Sequence, residues 1–181
     1  MGTYRERAWE IAMGQYGYVT TNDAKEAGIP AIELAKLAAR GRLRNVAYGL
    51  YHFDDMPPTR YDQFYEAVKR VGGDAHLTGD AVLALHELAL VNPRRIRVGT
   101  TRRTRSRFPN WLEVVRDASA PEEIVVVEQI PTTTVARAIR DARKVVMPSR
   151  LIEAIPAAVN EGLITETEAE KLRVELEVMS R

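Results

Sequence analysis

Three glycines cut the stretch GYVTTNDAKEAGIPAIELAKLAARGRLRNVAYGLYHF, residues 17–53, into pieces that admit only short elements. Asp23 to Ala27 is a short polar and small-residue segment that Thr21 or Asn22 can N-cap. Gly28 can end it, because glycine takes the left-handed conformation that closes a helix. Pro30 presets the first turn of a further helix, in which Ile32, Leu34, Leu37 and Ala38 recur on an inner face until Gly41 stops it. Leu43 to Ala47 and Leu50 to Phe53 then flank Tyr48-Gly49 as two strands around a tight turn. Upstream, apolar residues at 4, 8, 9, 11 and 12 predict an amphipathic helix over Tyr4 to Gln15, followed by a short extended segment at residues 17–20.

The order helix, short strand, helix, three-residue turn, helix, hairpin is that of a winged helix-turn-helix. In that fold the last helix presents its outer face to the major groove while the hairpin lies over the flanking backbone. The outer face here offers Glu33, Lys36 and Arg40, and the N-terminal residues Pro30 and Ala31 stand where base contacts are usual. Thr20, Thr21, Arg42, Arg44 and Asn45 are candidates for the backbone, with Tyr48 at the hairpin turn. Lys36, Arg40, Arg42 and Arg44 lie between Leu34 and Phe53 with no acid among them, a pattern suited to neutralising phosphate. Glu33 can accept from a cytosine amine or pair with Lys36 or Arg40. Winged helices also dock proteins, so the basic face alone leaves that alternative open.

Asp54-Asp55-Met56-Pro57-Pro58 is polar and Pro-rich and reads as a linker between a domain at residues 1–55 and a second at 59–181. The second domain mixes periods. Helices are predicted over Arg60 to Val71 and Asp80 to Leu88, and extended segments over Ala75 to Leu77, Arg94 to Thr100, Trp111 to Arg116 and Glu123 to Glu128. Thr132 or Thr133 caps a helix to Lys144, and two helices follow over Ser149 to Glu161 and Thr165 to Met179, the last opened by a Thr165/Glu168 capping box. The expected class is α+β: a winged helix followed by an α/β domain with a small sheet and C-terminal helices.

Net charge is only +1, but it is unevenly spread: residues 57–110 carry ten Lys/Arg against five Asp/Glu, and residues 111–181 carry nine against thirteen. Arg94, Arg95, Arg97, Arg102, Arg103, Arg105 and Arg107 fall between Glu87 and Glu113 with no acid. This run can extend a DNA footprint, dock an acidic protein surface or shield RNA, or stand as a solvated loop whose stems cover apolar groups. Phe108, Pro109 and Trp111 beside it are compatible with base stacking, but residues of this kind are more often core anchors.

No catalytic, metal or cofactor site is expected. His52, His76 and His86 are scattered, with no carboxylate at a telling spacing, and His86 between Leu85 and Leu88 reads as a core histidine. Gly72-Gly73-Asp74 lacks the lysine of a phosphate loop, and no serine has nucleophile-elbow neighbours. The absence of cysteine fits a reducing interior. No apolar run is long enough for a membrane span, and Met1 to Glu10 lacks the apolar core of a secretory signal, so a cytoplasmic protein is expected.

The stretch from Gly17 to Phe53 resembles the N-terminal domain of the AbiEi family of antitoxins, which share a T-x-D-A-x-x-A-G helix pair and a following L-x-x-G-x-(L/I)-x-(R/K) hairpin. Residues 76–88, HLTGDAVLALHEL, are similar to a later block of that family, and Ile130 to Asp141 to another. The resemblance implies an antitoxin of a toxin–antitoxin system linked to abortive phage infection. Its winged helix would bind inverted repeats in its own promoter and repress the operon, with two protomers on the DNA and a monomer in solution compatible with that. Its C-terminal domain would counter a nucleotidyltransferase-like toxin. Glu87 stands where the family commonly has glycine, a departure expected to leave the helix unaffected. A stand-alone winged-helix regulator and an RNA-binding or RNA-processing protein using the arginine run are the alternatives.

Overall fold

A computed structural model describes residues 2–179, so the outer limits at residues 1 and 181 lie outside the described residues. The chain forms two compact units, one ending at Arg70 and the other beginning at Val71. The first contains α1 (Tyr4–Met13), β1 (Tyr18–Thr20), α2 (Thr21–Glu26), α3 (Ala31–Ala39), β2 (Arg44–Ala47), β3 (Leu50–His52) and all but the last residue of α4 (Asp62–Val71). Its three strands form an antiparallel sheet in the order β1-β3-β2. Ala12, Val19, Ala24, Leu34, Leu37 and Phe53 fill the core between helices and sheet, and Trp9 meets Phe53 edge-on at 5.0 Å. This is the winged helix-turn-helix predicted from the glycine spacing.

Two features of this unit differ from expectation. Ile32 is 59% exposed on the outer face of α3, not buried. Leu34 and Leu37 set the inward direction, and a residue two before Leu34 lies about 200° around the helix from it. The second is that this compact unit runs on past the 54–58 linker to Arg70. The reason is that α4 is bonded to the first unit. The Tyr18 hydroxyl donates to Glu66 at 2.5 Å, the Tyr65 hydroxyl donates to Gln15 at 2.9 Å, and the Tyr16 ring lies 5.2 Å from that of Tyr65. Burial first, and the Glu66 carboxylate second, push the Tyr18 phenol well above its usual range.

The second unit contains β4 (His76–Leu77), α5 (Asp80–Leu85), β5 (Ile96–Thr100), β6 (Leu112–Arg116), β7 (Ile124–Val127), β8 (Ile130–Thr133), α6 (Val135–Ala142), α7 (Pro148–Asn160) and α8 (Glu166–Met179). The strands form one mixed sheet in the order β6-β5-β4-β8-β7. Strand β8 falls where the sequence reading placed helix caps. The cap of α6 is Thr134, whose hydroxyl accepts from the Arg137 N–H at 3.4 Å. The β7–β8 turn is Glu128-Gln129, with φ of 47° and 61° and neither of the residues that normally mark such a turn. Helix α5 stops at Leu85, and Glu87 takes φ 56° directly after the cap. That is the left-handed position a glycine favours, so the residue bears on the helix end after all.

Gly99 in β5 pairs with His76 on one side and Val115 on the other. His76 Nε2 lies 3.1 Å from Asp117 Oδ2, and a Cβ on Gly99 would stand 2.7 Å from that nitrogen and 2.8 Å from the Asp117 Cβ. Burial raises the Asp117 carboxyl, but the bonds to His76 and Ser119 and the Arg137 charge outweigh it, leaving the group below its usual range. Such a carboxylate contributes its full stabilisation above the unfolded pKa and loses it as pH falls through the lower native value. Gly99→Ala is expected to cost about 2–3 kcal/mol in urea unfolding, through the steric clash and the disturbed buried pair. Asp117→Asn is expected to flatten the loss of stability with acid below about pH 4, measured by the same titration.

Candidate nucleic-acid interface

The candidate interface is assembled by local bonds in the first unit. Thr20 caps α2, where Thr21 or Asn22 was expected: its Oγ1 accepts from the Asp23 N–H at 3.0 Å, and Asp23 accepts from the Thr20 N–H at 2.8 Å. That frees Thr21 to face the hairpin, and its N–H donates to the Gly49 carbonyl at 2.9 Å. Gly49 has φ 65°, and a Cβ there would lie 2.9 Å from the Thr21 hydroxyl oxygen, so the turn needs glycine both for conformation and for this approach. Tyr48 is left at the tip, wholly exposed.

On α3 the exposed face is Ala31, Ile32, Ala35, Lys36, Ala39 and Arg40, preceded by the exposed cap Pro30. Glu33 is half-buried and accepts from Lys36 Nζ at 2.8 Å, so of its two sequence-level roles it takes the ion pair. Arg44 is engaged as well: its Nε donates to both oxygens of Asp54, at 3.0 and 2.9 Å, and His52 Nδ1 lies 2.7 Å from the same carboxylate. The bond from Arg44 is the main reason the Asp54 carboxyl sits below its usual range. Among the described residues no hydrogen bond or ion pair occupies the side chains of Arg40 and Arg42, and Asn45 is exposed beside them. The module therefore presents a small-residue helix face and an aromatic tip, and of the four cations between Leu34 and Phe53 Arg40 and Arg42 are unpaired while Lys36 and Arg44 are partly neutralised.

The seven arginines between Glu87 and Glu113 divide in the same way. Arg97 is half-buried, bonded to Glu113 at 3.2 Å and 3.6 Å from Asp80. Arg102 lies 3.7 Å from Asp74 and donates to the Val71 carbonyl at 3.4 Å. Arg94, Arg95, Arg103, Arg105 and Arg107 are exposed without a partner among the described residues. Arg94 and Arg95 precede β5 and Arg103 follows it, separated by a strand of five residues, about 17 Å. Residues 101–111 must cross back beside the sheet, because β5 and β6 are parallel neighbours. Among the described residues no three His, Asp or Glu side chains are grouped to hold a metal ion, and no helix is long and apolar enough to cross a membrane.

Residues 6–52 match a protein-family model described as transcriptional regulator, AbiEi antitoxin. The match runs from α1 to β3, the winged helix itself, in agreement with the resemblance read from the sequence. No curated protein matches the chain.

The split between structural and available side chains is measurable. Thr20→Ala is expected to cost about 1 kcal/mol of stability as a lost cap. Arg42→Ala and Tyr48→Ala are expected to stay within about 0.5 kcal/mol of the parent, all three by thermal or urea unfolding.

Proposed function

We propose that this protein is an AbiEi-type antitoxin whose winged helix binds operator DNA and represses its own operon, and whose second unit serves neutralisation of a nucleotidyltransferase-like toxin. The observation that carries the DNA reading is the exposed face of α3 flanked by the unpaired Arg40 and Arg42, on the module that matches a regulator family. Phosphate neutralisation by such groups dominates affinity, while the helix N-terminus and its outer face reach the bases. Pro30, Ala31, Lys36 and Arg40 face the groove in this reading, and Arg42, Asn45 and Tyr48 contact the flanking backbone. Thr20, Thr21 and Glu33 act indirectly, as cap, latch and ion pair, and Arg44 contributes only so far as Asp54 releases it. An inverted repeat would seat two protomers. The toxin role rests on the family match and the resemblance alone.

A gel shift with the protein's own upstream DNA over a range of salt tests this. Arg40→Ala and Arg42→Ala are each expected to reduce the slope of log affinity against log salt by about 0.9. Asp54→Ala is expected to steepen it by a similar amount, because Arg44 is then free. Equal affinity of the parent for upstream and scrambled duplexes would defeat the operator reading. A nucleotidyltransferase gene in the same operon, whose toxicity this protein relieves, separates the antitoxin from a stand-alone regulator.

A further inference from the structure

The outer face of α3 lacks what a base-reading helix usually carries. Its first turn presents Pro30, Ala31 and Ile32, none with a side-chain donor or acceptor. Hydrogen-bonding groups on that face are limited to Lys36, which Glu33 holds at 2.8 Å, and Arg40 at the far end. Ala35 and Ala39 complete an apolar strip, from which Ile32 projects at 59% exposure. A β-branched side chain in water at this place is unexplained by packing, since the core of the unit is closed by Leu34 and Leu37. The cleft at the start of α3, whose lining includes Thr21, Asn22, Lys25, Gly28, Pro30 and Ala31, has Lys25 as its one charged residue, and the free Arg40 caps the other end of the helix. The surroundings thus favour an anionic occupant with an apolar feature.

In the major groove the apolar feature of a base edge is the C5-methyl group of thymine. We infer that Ile32 is a specificity-determining residue that selects thymine by packing on this methyl group, with Ala31 and Ala35 small enough for the helix to approach closely. The inference rests on the operator reading and names how that operator is read.

Deoxyuridine substitution tests it, because it removes the methyl group while keeping the base pair and every phosphate. The upstream segment bound by the protein is first delimited by footprinting, and each thymine within it is then replaced in turn. The parent is expected to lose roughly fourfold in affinity at the thymines contacted, at matching places in the two half-sites. Ile32→Ala is expected to show a comparable loss on unmodified DNA and no further loss with deoxyuridine, with Ile32→Val in between. Ile32 is exposed, so unfolding midpoints equal to the parent's are expected for both variants. Specific binding by the parent that no deoxyuridine weakens would overturn the inference while leaving the operator reading intact, and would point to a protein partner for Ile32. An Ile32→Ala variant as sensitive to deoxyuridine as the parent would overturn it too. Failure of the parent to prefer its own upstream DNA would overturn both.

Discussion

The Thr21 N–H donates to the carbonyl of Gly49, and what the first unit offers a partner depends on that bond. It joins the start of α2 to the turn of the hairpin, so that the helix-turn-helix and the wing are held in one orientation. Each side of the latch has a local cause. Thr20 takes the capping role and leaves the next amide free, and glycine at 49 supplies both the left-handed turn and the space for the Thr21 side chain. A shift of either element would separate the exposed face of α3 from Arg42 and Tyr48.

Pairing, more than the number of cations, decides what the surface can do. Four positive side chains lie between Leu34 and Phe53, yet Lys36 and Arg44 are bonded to Glu33 and Asp54. Between Glu87 and Glu113 Arg97 and Arg102 are held against carboxylates in the same way, while the other five arginines of that run stay free among the described residues. An exposed pair is worth little to stability, but it changes how much charge is available to a phosphate.

Polar contacts also organise the second unit. Arg137 bonds to Glu123 at 2.8 Å and Asp141 at 2.9 Å and lies 3.6 Å from Asp117, which in turn meets His76 across Gly99. These residues come from β4, α6 and the segments that follow β6, so the network ties distant parts of the chain to the sheet. Breaking one partner leaves others buried without compensation, which is why a single methyl group at Gly99 carries a large expected cost.

The helices, the wing and the α+β class were legible from the sequence, because glycine stops, cap residues and apolar periods act within a few residues of one another. What involved distant or two-way choices was not. Strand β8 is made by its neighbours: Pro131 argues against a strand, and Thr132 and Thr133 serve as well for helix caps, but Leu77 on one side and β7 on the other supply the pairing. Helix α4 has an ordinary amphipathic pattern, and its assignment to the first unit comes from long-range contacts, the Tyr18–Glu66 and Tyr65–Gln15 bonds and the Tyr16–Tyr65 ring pair. Ile32 and Leu34, about 200° apart on a helix, cannot both face inward, and the packing of Leu34 and Leu37 decides which does. The sequence by itself determined which segments are helices, where glycine marks a turn, and that a basic wing follows a small-residue helix, since these rest on local sterics and hydrogen bonding. The tertiary structure alone decided which arginines remain unpaired and which apolar side chain faces outward, since ion pairs and burial depend on residues that the chain brings together only on folding.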